Sequence, residues 1–295
     1  GRDRAFLTRM YAAMTRYDDW LARYRNTRGT GGVEAFCTYD TGHDQSARFW
    51  HVPDSPFNND ARTVHPDNPI LPFVAPDLTA NVACQRVYLA RIAEELGDNG
   101  QDWRDKAQAS LNALFEQCYD PEDGFFYDRD RNDNLVRVQS DVLLRVLACE
   151  VGDDAFFAQA LRRYLLNTAK FFAKYPFTSI ALDDPRFDPN FAQNSWSGPT
   201  NFLSIIRAAH AFEQHLVAGF DPSVAHGDVQ GKRNGRRRRI GVAIHSDDDP
   251  LGGDSEFLKY ILNAKAYFPV TEKTVFSANL VWGHVIPLYD GWNSG

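Results

Sequence analysis

Carboxylates, an imidazole, an arginine and three aromatic rings fall within one short run of this chain, Tyr39-Asp40-Thr41-Gly42-His43-Asp44-Gln45-Ser46-Ala47-Arg48-Phe49-Trp50. With a glycine inside it and Pro53 close behind, the run is poor material for a core helix or a long strand. It suits a loop that offers an acid, Asp44, to a polar ring such as a sugar. Arg48 would bind a hydroxyl, His43 would donate to another, and Tyr39 and Trp50 would supply flat apolar faces. A turn with a solvated Asp and a surface ion pair is the plain alternative.

A second cluster lies downstream, Phe177-Thr178-Ser179-Ile180-Ala181-Leu182-Asp183-Asp184-Pro185-Arg186-Phe187-Asp188-Pro189, followed by Asn194-Ser195-Trp196-Ser197-Gly198-Pro199-Thr200-Asn201. Pro199 is tolerated at a helix start because its missing N–H would be unpaired there anyway. Gly198 would let backbone approach a ligand closely. Trp196 either stacks on a sugar face or packs beneath a helix N-terminus, and the residues alone leave both open.

Together the two runs resemble the trehalase-like (α/α)6-barrel glycosidases, near the α-glucosidase and mannosylglycerate-hydrolase branch. In those enzymes a small residue and a glycine precede a catalytic Asp, and Ser and Arg-aromatic follow. Thr41-Gly42-His43-Asp44 and Ser46-Ala47-Arg48-Phe49 hold these places. A Ser-rich DDP stretch then leads to Trp-Arg-Gly-Pro and an Asn that opens the next helix. Here Trp196, Gly198, Pro199 and Asn201 are kept, with Ser197 where the family usually has Arg. Asp77-Leu78-Thr79-Ala80-Asn81 resembles the acidic helix start that follows the acid loop. The resemblance runs from residue 1 to about 217.

It implies an all-α fold, an (α/α)6 toroid of helical hairpins, complete or incomplete. It also implies an inverting, exo-acting glycosidase on a small α-linked sugar. Such chemistry needs two carboxyl groups about 6.5–9.5 Å apart, one giving a proton to the leaving oxygen and one activating water. No cofactor or metal is required. Asp44 is the acid, and Tyr39, His43, Arg48, Trp50, Trp196 and Asn201 are the substrate-binding residues. The family's base is a Glu near the C-terminal end. Glu272, ahead of Phe276-Ser277-Ala278-Asn279, is the nearest in surroundings, and Glu256 is the alternative. A non-catalytic sugar-binding toroid is one rival reading. An epimerase or lyase on the same scaffold, using His43, His51 or Tyr39, is the other.

Helical spacing supports the comparison. Phe6, Met10, Met14, Tyr17, Leu21 and Tyr24 step by three or four along one face. Asp77 is a plausible N-cap for a second helix that Gly97 stops, with Val82, Leu89, Ile92 and Leu96 on its buried side. Trp103, Ala107, Leu111, Leu114 and Cys118 mark a third helix. Further helices are expected from about Ser140 to Val151, from Asp153 or Asp154 to Tyr175, after Pro199, and from Glu256 to Tyr267. A small hairpin is expected where Gly124-Phe125-Phe126-Tyr127 and Leu135-Val136-Arg137-Val138 flank Asp128 to Asn134. The expected organisation is a helical domain over 1–220, one exposed charged connection over 221–254, and a segment over 255–295 packed on the same domain.

Composition bounds the rest. With 295 residues, 43% of them hydrophobic and a net charge of −7, this is an ordinary globular chain with room for a large core. The charge argues against nucleic acid or an anionic membrane as the main partner; the oligosaccharide or glycoside expected as partner is what the family resemblance implies. The basic run Lys232-Arg233-Asn234-Gly235-Arg236-Arg237-Arg238-Arg239 reads as a solvated loop. No signal peptide opens the sequence and no apolar run is long enough for a transmembrane helix. The compartment stays open, with the cytoplasm slightly favoured. Cys37, Cys84, Cys118 and Cys149 form no CxxC pair. Asp128-Arg129-Asp130-Arg131-Asn132-Asp133-Asn134 lacks the Gly and Glu of a calcium loop. No GxSxG, GxGxxG or P-loop motif occurs.

Overall fold

The computed structural model describes residues 3–190 and 196–217, together with the backbone of three strands further on. The chain divides into two compact units, Gly1–Ala211 and Phe212–Gly295. The first is mainly helical, with a few two-residue strands. Its described helices are α1 (Arg4–Tyr24), α2 (Pro76–Leu96), α3 (Gln101–Cys118), α4 (Val142–Leu147), α5 (Asp154–Ala160) and α6 (Phe202–Val217).

The first three helices form a packed layer. Leu89, Ala90 and Ala93 of α2 bury against Trp103 of α3, with Tyr11 and Met14 of α1 alongside. Alanine carries much of the buried face of α2, so neighbouring helices approach closely. Trp103 Nε1 donates to the Tyr11 hydroxyl at 2.8 Å. Arg86 of α2 reaches buried Asp18 of α1 at 2.7 Å and Ser110 of α3 at 2.6 Å, tying all three helices together. That polar pairing decides which side of α1 faces inward. The apolar stripe that sequence spacing picks out coincides with it only in part: Leu21 is buried beside Asp18 and Met14 packs on the core, while Phe6, Met10 and Tyr17 stay exposed.

Strands β1 (Glu34–Ala35), β2 (Phe73–Val74), β5 (Asp128–Arg129) and β6 (Leu135–Val136) make one antiparallel sheet. Strands β3 (Tyr119–Asp120) and β4 (Phe125–Phe126) pair separately. The expected hairpin is thus shifted: β5 pairs with β6, and Phe125–Phe126 folds back on Tyr119–Asp120. Two expected helices are shorter than read. The one beginning at Asp154 passes into a wider turn over Leu161–Leu165 and ends there. Asn167 then accepts from the Ala169 N–H at 2.9 Å, giving the backbone a local alternative to the helix.

In the second unit, the stretch read as a helix from Glu256 to Tyr267 is instead β8 (Glu256–Pro269), paired antiparallel with β7 (Arg238–His245) and β9 (Val275–Leu288). The sequence carries the reason. Leu258, Tyr260, Leu262, Ala264, Ala266 and Phe268 recur at every second residue, a strand period. Ile240, Val242 and Ile244 do the same inside the stretch read as one exposed connection, which therefore contains a strand.

The α2–α3 turn depends on a close approach. A Cβ at Gly100 would lie 2.7 Å from the Ala90 carbonyl oxygen, and backbone cannot give way as a flexible side chain does. Gly100→Ala should destabilise the chain by about 1–3 kcal/mol, read as a lower urea midpoint. An unchanged midpoint would mean that α3 can slide along α2 at no cost.

Candidate functional site

The run from Tyr39 to Trp50 forms two short 3-10 turns, Thr38–Asp40 and Ala47–Phe49, with the acid loop between them. It is anchored at both ends. At the start, Arg25, which ends α1, grips both oxygens of Asp40 and lies over the Phe36 ring at 4.2 Å. At the far end, Phe49 packs into a core of Ala35, Leu71, Phe73 and Ala75. Ala47 packs with Val138 and Ile180, so apolar burial joins the first motif to the second.

Arg48 is the centre of the arrangement. It is 1% exposed. Its Nε and Nη2 donate to Asp128 at 2.8 and 2.7 Å. Nη1 and Nη2 donate to Asp77, both at 3.0 Å, and Nη1 also meets His43 Nδ1 at 2.8 Å. A guanidinium has five N–H donors, and all five are engaged. The expectation that Arg48 binds a sugar hydroxyl is therefore corrected: no donor is left for one. Asp77 is likewise not the N-cap of α2, which begins at Pro76 after Ala75. It lies in the first turn with its carboxylate turned onto Arg48 and, at 3.3 Å, onto Arg145.

His43 is fully buried. Its Nδ1 faces a donor that cannot accept, so Nδ1 must accept and Nε2 must carry the proton. Nε2 lies 2.7 Å from Asp141 Oδ1, a bent contact rather than an in-line one. With Nδ1 on Arg48 and Nε2 buried against Asp141, His43 is a neutral imidazole enclosed on both sides, not a free donor to substrate and not the base of a lyase. Asp141 also accepts from the Ser204 hydroxyl of α6.

The two sequence motifs meet. The Trp196 ring lies 4.6 Å from the His43 ring, and Arg145 stacks over it at 4.9 Å. Ser197 Oγ donates to the Gln45 carbonyl at 3.1 Å, so the serine at the family's arginine position ties the motifs together. Gly198 serves backbone packing instead of ligand approach: a Cβ there would lie 1.9 Å from the Asp188 carbonyl oxygen. Pro199 precedes α6 by three residues, and the Asn201 side-chain oxygen caps that helix by accepting from the Leu203 N–H at 2.9 Å.

The expected site residues thus fall into two groups. His43, Arg48 and Trp196 are interior, with Trp196 only 6% exposed. Tyr39 and Trp50 present 55% and 48% of their surface, while Asp44 is half-buried, with no partner for its carboxylate among the described residues. Glu272 lies outside the described residues, and Glu256 is the first residue of β8. Trp50 is followed by a groove of about 490 Å³ lined by His51, Pro53, Phe57, His65 and Asn68. Sequence reading missed Asp128, Asp141 and Arg145. Asp128 sits in a run of charges that looks like a solvated turn. Asp141 and Arg145 look like an ordinary helix start and an ordinary exposed helix cation. Among the described residues no cluster has the ligands for a metal ion, and no helix is long and apolar enough to cross a membrane.

Comparison with known proteins gives the frame for this geometry. Residues 1–250 match the model of the mannosylglycerate hydrolase MGH1-like glycoside hydrolase domain. No curated protein matches the chain. Among solved structures, the GH63 mannosylglycerate hydrolase from Thermus thermophilus in complex with Tris is similar at a TM-score of 0.59 and 18% identity, over 75% of this chain and 61% of that one. The same enzyme in complex with glucose gives 0.58 and 18%, over 73% and 57%. A sialidase gives 0.57 and 14%, over 72% of this chain and 18% of its own. At these identities the likeness speaks for the fold, and the chain spans about three-fifths of the hydrolase's length.

Burial, then the charges of Arg145 and Arg48, push His43 down from 6.5 to about 3, against the pull of Asp141. Between these values the unfolded chain holds the proton and the folded one does not, so stability falls as pH drops from about 6.5 toward 3. In His43→Gln, whose amide keeps a donor and an acceptor, that fall should be shallower by about 1 kcal/mol per pH unit. Urea unfolding at a series of pH values measures it. An unchanged slope would show that folded His43 takes up its proton normally.

Proposed function

The chain belongs to the mannosylglycerate hydrolase MGH1-like glycoside hydrolase family, and on that premise we propose that it hydrolyses a small α-linked sugar with inversion, acting from the chain end, with Asp44 as the general acid. One observation carries this reading. The acid loop around Asp44 is held at three points: the Thr41 carbonyl by Arg145 at 2.5 Å, the His43 ring by Arg48 and Asp141, and the Gln45 carbonyl by Ser197. The Asp44 carboxyl itself is left half-buried, without a partner among the described residues. A rigid backbone presenting an unengaged carboxyl is what proton donation in a transition state requires.

In the reaction, the Asp44 proton passes to the glycosidic oxygen as its bond to the anomeric carbon breaks. A water attacks that carbon from the opposite face and gives its proton to a second carboxylate. Glu272 is the proposed base, with Glu256 as the alternative. The exposed rings of Tyr39 and Trp50 are proposed as sugar-stacking faces, whereas Trp196 and Asn201, packed against His43 and capping α6, are proposed as supports of the site. The full (α/α)6 toroid is part of this proposal. Mannosylglycerate is the first substrate to try, because the Thermus structure named for its hydrolysis shares the fold.

Asp44→Asn should lower kcat by at least about a hundredfold with little change in KM or melting temperature, because only transition-state stabilisation is lost. Release of mannose from mannosylglycerate by the purified chain is the assay. Activity within about threefold of wild type, under about 1 kcal/mol, would remove Asp44 from the mechanism.

A further inference from the structure

We propose that Asp141 is a positioning residue for the acid loop, acting through His43 to fix the backbone from which Asp44 projects. The inference rests on the reading of Asp44 as the acid, and it assigns a part to a residue that no motif points to. Asp141 opens α4 and joins three pieces of the unit. Its carboxylate meets His43 Nε2 at 2.7 Å, accepts from Ser204 of α6, and lies 4.0 Å from Arg207 on the same helix. Its own N–H donates to the Ser179 carbonyl at 2.9 Å. Ser179 in turn accepts from the Gly198 N–H through its hydroxyl at 3.0 Å. The acid loop and α6 therefore share one carboxylate, and the second motif meets the same residue through its backbone N–H.

The logic of donors and acceptors makes the link directional. Arg48 can only donate, so His43 must present an N–H on its other side, and the Asp141 carboxylate lies against it there, in a bent contact at 2.7 Å. Burial would raise the Asp141 carboxyl, but His43, Arg145 and Ser204 hold it below the usual carboxylate range, so it stays an acceptor. Gly42 at φ 65° and Gln45 at φ 60° lie in the left-handed region on either side of the His43-Asp44 pair. A loop with such backbone at both flanks needs a fixed side chain between them, and His43 is that side chain.

Asp141→Ala, made in the whole chain, is compared with wild type on two substrates. Mannosylglycerate has an alkoxide leaving group that needs the Asp44 proton; α-mannosyl fluoride has one that does not. The expected result is a kcat lower by at least about thirtyfold on mannosylglycerate, with KM and the rate on the fluoride within about threefold. Asp141→Asn, which keeps an acceptor for the imidazole N–H, should recover most of the loss, and it also serves if the alanine variant fails to fold. Backbone 15N order parameters provide a readout independent of turnover. In Asp141→Ala those of Gly42, Asp44 and Gln45 should fall from about 0.85 to below about 0.6, while those of α2 and α3 hold.

Equal losses on both substrates overturn the proposal, as do order parameters unchanged at residues 42 to 45. If Asp44→Asn proves as active as wild type, the acid assignment fails by itself. The order parameters then decide whether Asp141 holds the loop. They decide equally if neither substrate is turned over.

Discussion

Arg48 carries a charge that folding takes out of water, and the acid loop has its shape because that charge must be answered. Two carboxylates do so, Asp77 from α2 and Asp128 from the small sheet, with His43 closing the fifth N–H. Removing one partner from such a buried set typically costs about 3–5 kcal/mol, because the charge left behind has nothing to face. The loop, the first turn of α2 and β5 are thus bound together by one requirement. The two carboxylates divide the burden unequally. Asp77, next to both Arg48 and Arg145, is held below the usual range despite its burial, whereas burial and the charge of Asp77 push Asp128 up.

The same balance of charge explains why His43 is neutral. Burial and the nearby charges of Arg145 and Arg48 outweigh the pull of Asp141, so a further positive charge on the imidazole is disfavoured. A neutral imidazole with both nitrogens used is a spacer of fixed length. It stands between left-handed residues at 42 and 45, next to Asp44 in the chain. Trp196, lying against that imidazole, then has a packing task before it has any part in binding. Its burial favours the reading in which an aromatic supports a loop, and leaves Tyr39 and Trp50 as the exposed rings of the run.

Much of the local structure is legible from residue types. The α2 and α3 helices run as their spacing and the Gly97 stop suggest, and the two chemistry-bearing runs lie outside helices, joined by Ser197 and Trp196. Failures arise where two signals compete. The buried Asp18–Arg86 pair shares the inner face of α1 with Met14 and Leu21 and leaves Phe6, Met10 and Tyr17 of the stripe outside, and Asn167 ends a helix that Thr168 and Phe171 would continue. The alternation from Leu258 to Phe268 contains residues four apart as well as two apart, and pairing with β7 and β9 selects the strand.

By itself, the sequence determined that Asp44 belongs to a loop and that Arg48 and a tryptophan accompany it, and the likeness of its two motif runs to a known family pointed to the glycoside hydrolase family it belongs to. The loop follows from short-range facts, which residues stand next to glycine or proline; the family follows from the resemblance of those runs. Tertiary structure decided what each charged residue is for. Whether an arginine meets a sugar or a carboxylate depends on groups far away in sequence, here Asp77 and Asp128, twenty-nine and eighty positions on. Whether a histidine is free or spent depends on Asp141, which nothing near it in the chain distinguishes from a helix cap. Desolvation sets these assignments, and it is a property of the folded interior that no run of residues carries alone.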